Sequence, residues 1–104
     1  MEGDWLYLIR LEARPGPNAR NDSGCSGAHV NCWLRADTET DAQSQALAEV
    51  RSEGWVPGPV QSVQRVRRED YAEDPSGREY FEQALIDGVV LVFHTWQRDE
   101  ELLQ

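Results

Sequence analysis

Two cysteines and two histidines are the residues whose chemistry is worth locating first: Cys25, His29, Cys32 and, far along the chain, His94. Four such side chains are the complement of a tetrahedral zinc site. Their spacing argues against one. His29 and Cys32 stand three apart in a segment that alternates as a strand, so they point to opposite faces and a single ion cannot take both. Thiol chemistry is the next possibility, because Cys25 sits in Ser23-Gly24-Cys25-Ser26-Gly27 and His29 or His94 could serve as its base. The residue six beyond Cys25, however, is Asn31 and not the arginine of a phosphate-binding thiol loop. Nucleophile-elbow, P-loop and dinucleotide signatures are missing as well. No metal, cofactor or catalytic residue is therefore expected, and a small enzyme using His94 or Cys25 stands as the weaker alternative.

The carboxylates come in runs: Glu39 and Asp41, Glu49 and Glu53, Glu69 with Asp70, Glu73 with Asp74, and Asp99-Glu100-Glu101. Acid–base work needs a carboxyl whose environment shifts its pKa, usually by burial. Helix caps, helix surfaces and a charged tail account for all of these. A ligand site is better sought among His94, Trp96, Trp33 and Arg35, with His29 as an alternative to Arg35, which could line an aromatic pocket with a few polar groups.

The elements that must position these residues follow from periodicity. Trp5 to Leu11 is short and rich in aromatic and aliphatic residues, a strand. Residues 14–27 are dense in Pro, Gly, Asn and Ser and read as a flexible loop. From Ala28 to Ala36, Val30, Cys32, Leu34 and Ala36 alternate with His29, Asn31, Trp33 and Arg35. Thr38 to Asp41 suits a helix start, Ala42, Ala46, Leu47 and Val50 form its stripe, and Gly54 stops it. Val56-Pro57-Gly58-Pro59 reads as a tight turn before a third strand, Val60 to about Glu69, whose poor alternation suggests a bulge or an edge position. Asp74-Pro75 opens a second helix with Tyr80, Phe81, Ala84 and Leu85 on its inner stripe, and Gly88 closes it. Val89 to Trp96 is the last strand, and residues 98–104 are an acidic tail expected to fray.

At 104 residues the chain is long enough for one domain, 1–104. Helix-linked strands are usually parallel, while the first two can pair antiparallel. The simplest architecture is an α+β two-layer sandwich in ββαβαβ order, ferredoxin-like, with a mixed four-stranded sheet and both helices on one face. Three segments, Tyr80-Phe81-Glu82-Gln83-Ala84-Leu85, then Asp87-Gly88, then Phe93-His94-Thr95-Trp96, resemble stretches of small bacterial proteins of unassigned function. That resemblance implies a compact bacterial domain of this type and brings no activity with it.

Charge narrows the partners. The formal charge is −9, from 19 acids and 10 bases. Such a field disfavours phosphate backbones and anionic membrane surfaces, so no nucleic-acid or membrane partner is expected. The one basic cluster, Arg65, Arg67 and Arg68, is followed at once by Glu69 and Asp70 and reads as a solvated strand edge. No apolar run approaches the length of a membrane span, the acidic start lacks a secretory lead-in, and two cysteines make no disulfide framework; a cytoplasmic location is expected.

With both helices on one face, the other face would stay largely apolar, since Trp5 to Leu11 and Val89 to Trp96 carry large side chains on both sides. An exposed patch of that kind calls for cover, and a second copy is the simplest one. The leading expectation is thus a non-enzymatic interaction domain, a homodimer joined through an aromatic sheet face that could also hold a small molecule. The alternative is an acidic inhibitor or immunity-type protein that neutralises a basic partner.

Overall fold

A computed structural model describes residues 5–17 and 25–97. Strand β1 spans Trp5–Pro15 and β2 Cys25–Leu34; helix α1 spans Glu39–Ser52; β3 spans Trp55–Arg67; a 3₁₀ turn, Arg68–Tyr71, leads to helix α2, Pro75–Asp87, and β4 spans Val89–Gln97. The four strands form one sheet in the order β3-β1-β2-β4, and every neighbouring pair is antiparallel. Both ends of the expected 14–27 loop are strand, while 18–24 and the expected tail 98–104 lie outside the described residues.

The helix boundaries have local causes. Thr38 caps α1, its Oγ1 accepting from the Asp41 amide at 3.1 Å. Asp74 caps α2 by accepting from the Gly77 amide at 3.0 Å, with Pro75 in the first turn. Gly88, at φ 93°, ends α2 in the left-handed region, its amide donating to the Ala84 carbonyl at 2.8 Å.

Register decides where the helices go. Leu34 ends β2 opposite Tyr7, whereas β3 begins with Trp55 opposite Pro15, at the far end of β1. Helix α1 must therefore carry the chain back along the strands. It packs Ala42, Ala46 and Val50 on Tyr7, Ile9, Leu11, Ala28, Val30, Cys32 and Leu34, one face of the sheet. Strand β3 then ends with Arg67 opposite Trp5, and β4 starts with Val89 opposite Leu34, so both lie at the same end of the sheet on opposite edges. Helix α2 spans that gap across the strand ends. At about 1.5 Å per residue it is long enough to cross four strands spaced about 4.8 Å apart. Phe81 and Ala84 pack there on Leu6, Leu8, Trp33 and Val66, the other face.

The expected sandwich is corrected in two respects. The sheet is wholly antiparallel and not mixed, because α2 joins two strands that start and stop at one end. The helices lie on opposite faces, so the chain makes three layers and not the ferredoxin-like two. The apolar residues on both sides of β1 are the mark of a central strand covered on both faces. Leu6, Ile9 and Leu11 are 0% exposed.

Strand β3 also departs from expectation, since it begins at Trp55 and includes the Pro57-Gly58-Pro59 segment read as a turn. As an edge strand it tolerates prolines, which lack a ladder donor. Register shifts at Arg10/Leu11 and Leu11/Ala13 absorb the extra residues. Near this end Ala13 and Ala28 are small, and the rings of Trp55 and Phe93 meet over them with centroids 5.2 Å apart. Among the described residues no helix is long and apolar enough to cross a membrane.

Candidate functional site

Because α2 crosses only one end of its face, no helix among the described residues lies over the opposite half of that face. The register lines up Glu12 of β1, His29 of β2 and His94 of β4 in one row across three adjacent strands. Arg10 and Asn31 form the row nearer α2, and Gly27 and Trp96 pair on the far side. The result is a polar shelf between the helix and the sheet end.

Its geometry is built from small contacts. Gln61, extruded at the β3 irregularity, donates from Nε2 to Glu12 Oε2 at 3.2 Å. His29 Nδ1 stands 3.8 Å from the same oxygen, too far for a hydrogen bond but within ion-pair range when the ring is charged. The His29 ring leans on Trp96, centroids 4.8 Å apart. Gly27 makes that possible, because a β-carbon there would stand 2.5 Å from the indole. Trp96 further lines a cavity of about 240 Å³ with Glu12, Arg14, Gly58 and Pro59. The His29 and Glu12 side chains are 58% and 47% exposed, so the shelf faces water.

Of the four residues singled out for a ligand pocket, the structure brings His94 and Trp96 onto this shelf. Trp33 shares their face but lies under α2, 4% exposed, its Nε1 donating to Tyr71 Oη at 2.8 Å. Arg35 follows the end of β2, with its amide donating to the Gly88 carbonyl at 3.3 Å. Six residues separate it from His29, about 20 Å along an extended chain. Alternation alone grouped Arg35 and Trp33 with His29; only the position of α2 separates them. Glu12 was missed because a lone acid between Leu11 and Ala13 carries no pattern of its own.

Cys32 does not join the shelf. Cys32 lies on the α1 face, wholly buried, and burial, reinforced by Glu49, pushes its thiol up to about 12. Among the described residues, no three His, Cys, Asp or Glu side chains are grouped to hold a metal ion. Two arginines of the basic cluster are occupied: Arg65 lies over the Trp5 ring at 3.9 Å, and the Arg68 guanidinium grips both carboxylate oxygens of Glu82. That fork holds the Glu82 carboxyl below the usual range.

The two sheet edges are unlike. Along β3, Pro57 and Pro59 remove amide donors, two register shifts break the line, and Arg65 and Arg67 are exposed. These are the devices that stop an edge from pairing. Along β4, Val89 to Gln97 has no proline, no Asp, Glu, Lys or Arg, and its irregularity falls only between Cys25 and Gly27 of its neighbour. Val89 through Phe93 are all half-buried. On the α1 side, Val89, Leu91 and Phe93 border an open cavity of about 320 Å³ with Glu49 and Glu53.

Comparison with family models, curated proteins and solved structures finds no match to this chain.

Proposed function

We propose that this chain is a non-enzymatic interaction domain that pairs with a second copy of itself, edge to edge through β4. One observation carries the reading: among the described residues, the β3 edge carries prolines, two register shifts and exposed arginines, and β4 itself carries no proline and no Asp, Glu, Lys or Arg. An unblocked edge offers a row of backbone donors and acceptors, and adding a strand satisfies them while covering the flanking side chains. Net charge opposes self-pairing, and the edge strand itself adds nothing to that repulsion. Two bodies of formal charge −9 repel, and the segment brought closest, Val89 to Gln97, contains no acid. The route differs from the sheet-face contact expected from sequence, because α2 occupies the apolar half of that face.

Light scattering or sedimentation across protein concentration tests this. The expected result is a monomer–dimer equilibrium that Thr95→Lys shifts to monomer. Thr95 is exposed, so the change leaves the core alone and places a lysine on the edge. A wild-type chain that stays monomeric throughout overturns the reading, as does a dimer indifferent to Thr95→Lys.

A further inference from the structure

The cavity between Trp96 and Pro59 stands apart from any edge pairing and has a chemistry of its own. We propose that it binds a small zwitterion, an α-amino acid with an apolar side chain. Glu12 takes the ammonium, Arg14 takes the carboxylate, and the apolar side chain lies between the indole and the proline ring.

The cavity exists because one side chain crosses the sheet. In the order β3-β1-β2-β4, Trp96 stands two strands from β1, about 10 Å away, yet it borders the same space as Glu12 and Arg14. It reaches them by lying over Gly27 of β2, where no side chain holds it off. Gly58 and Pro59 close the other side from β3. A β-carbon on Gly58 would stand 3.1 Å from the Glu12 carbonyl oxygen, so glycine lets this edge lie tight against β1. An indole wall and a proline wall thus flank two charged groups, the combination of apolar lining and a few fixed polar atoms that holds small molecules.

Charge placement selects the ligand. Glu12 and Arg14 are two apart on one strand, so they share a face at about 7 Å along it. They are not paired with each other. Among the described residues Arg14 makes no hydrogen bond or ion pair, and Glu12 engages only Oε2, toward Gln61 and His29. A simple cation would be repelled by Arg14 and a simple anion by Glu12, whereas a molecule carrying both signs is attracted by both. An ammonium and a carboxylate on one carbon reach the two groups with charge-assisted bonds of about 2.8 Å. Size agrees. At about 240 Å³ the space falls below the roughly 300–1,000 Å³ of drug-sized ligands, which suits a single amino acid and not a peptide.

Titration with L-phenylalanine, followed by the Trp96 indole N–H resonance and assigned with Trp96→Phe, tests this. A saturable shift is expected. L-Phenylalaninamide, which lacks the carboxylate, and N-acetyl-L-phenylalanine, which lacks the ammonium, should each bind roughly tenfold more weakly. Glu12→Gln should weaken L-phenylalanine and close its gap to the N-acetyl form, and Arg14→Gln should close its gap to the amide. Arg14 is exposed and Glu12 half-exposed, so both changes leave the core alone. Gly27→Ala, which lifts the indole, should weaken binding with the unfolding midpoint unmoved. No saturable shift with L-phenylalanine, equal affinity for the three compounds, or indifference to both charge variants overturns the proposal. A monomer in light scattering overturns edge pairing alone and leaves this site standing.

Discussion

The indole N–H of Trp33 donates to the hydroxyl of Tyr71 at 2.8 Å, a buried bond that fastens β2 to the turn preceding α2. Both residues are nearly inaccessible, at 4% and 8% exposure, and their rings meet edge-on at 6.5 Å. Tyr80 also leans on Trp33, at 5.2 Å. This contact fixes the segment leading into α2 against the end of the face that the strand register assigns to that helix.

Removing the acceptor should therefore be costly out of proportion to the atoms lost. Tyr71→Phe keeps the ring and strands the Trp33 N–H, an expected loss of about 1–3 kcal/mol in urea unfolding. Trp33→Phe with Tyr71→Phe should cost less than the two singles summed, since each single already breaks the bond. Strict additivity in that cycle would show the bond to be worth nothing.

Alkaline pH should destabilise the fold. Tyr71 ionises above its usual range because burial outweighs the opposing effects of the Trp33 bond and Arg10. The Cys32 thiol is pushed from an ordinary 9.0 to about 12 by the same cause, with Glu49 second. Both groups hold their proton longer folded than unfolded. The associated stability is complete below the unfolded values and is lost as pH rises towards the folded ones. Thermal midpoints should be level near pH 7–8 and fall from about pH 9 upwards. Cys32 should resist maleimide at neutral pH until the chain unfolds; labelling without unfolding would contradict its burial.

Two glycines should respond differently to alanine. At Gly77 a β-carbon would meet Asp74 Oδ2 at 2.6 Å and the Tyr71 ring at 2.7 Å, atoms fixed by the α2 cap and by the Trp33 bond. Gly77→Ala should lower stability by about 1–3 kcal/mol, the usual range for overpacking. At Gly27 the obstruction is the far end of Trp96, which can swing outward. Gly27→Ala should leave the unfolding midpoint nearly unchanged and alter Trp96 fluorescence as the ring leaves His29. Equal losses at the two sites would refute the difference.

Much of the local structure was legible from residue order. Thr38, Asp74, Pro75 and Gly88 marked helix ends because capping is short-range chemistry, and the alternation in β2 separated Val30 and Cys32 from His29 and Trp33. The layer count was not legible. Trp5 to Leu11 is apolar on both sides, which fits an uncovered face or a strand roofed twice, and only the pairing of Arg67 with Trp5 and of Val89 with Leu34 decides between them. The shelf was half legible for a related reason. His94 and Trp96 stand out as polar and aromatic residues on an apolar strand and His29 as an alternative to Arg35, but Glu12 comes from a distant segment that register alone brings alongside.

The prolines of β3 have a consequence for the size of any assembly. Joining two sheets at β4, as proposed, would leave a single ribbon whose outer rims are both β3, where Pro57, Pro59 and two register shifts oppose the addition of another strand. Growth would stop after one addition, so the same chemistry that in an unguarded sheet leads towards fibres would here yield a closed, soluble pair.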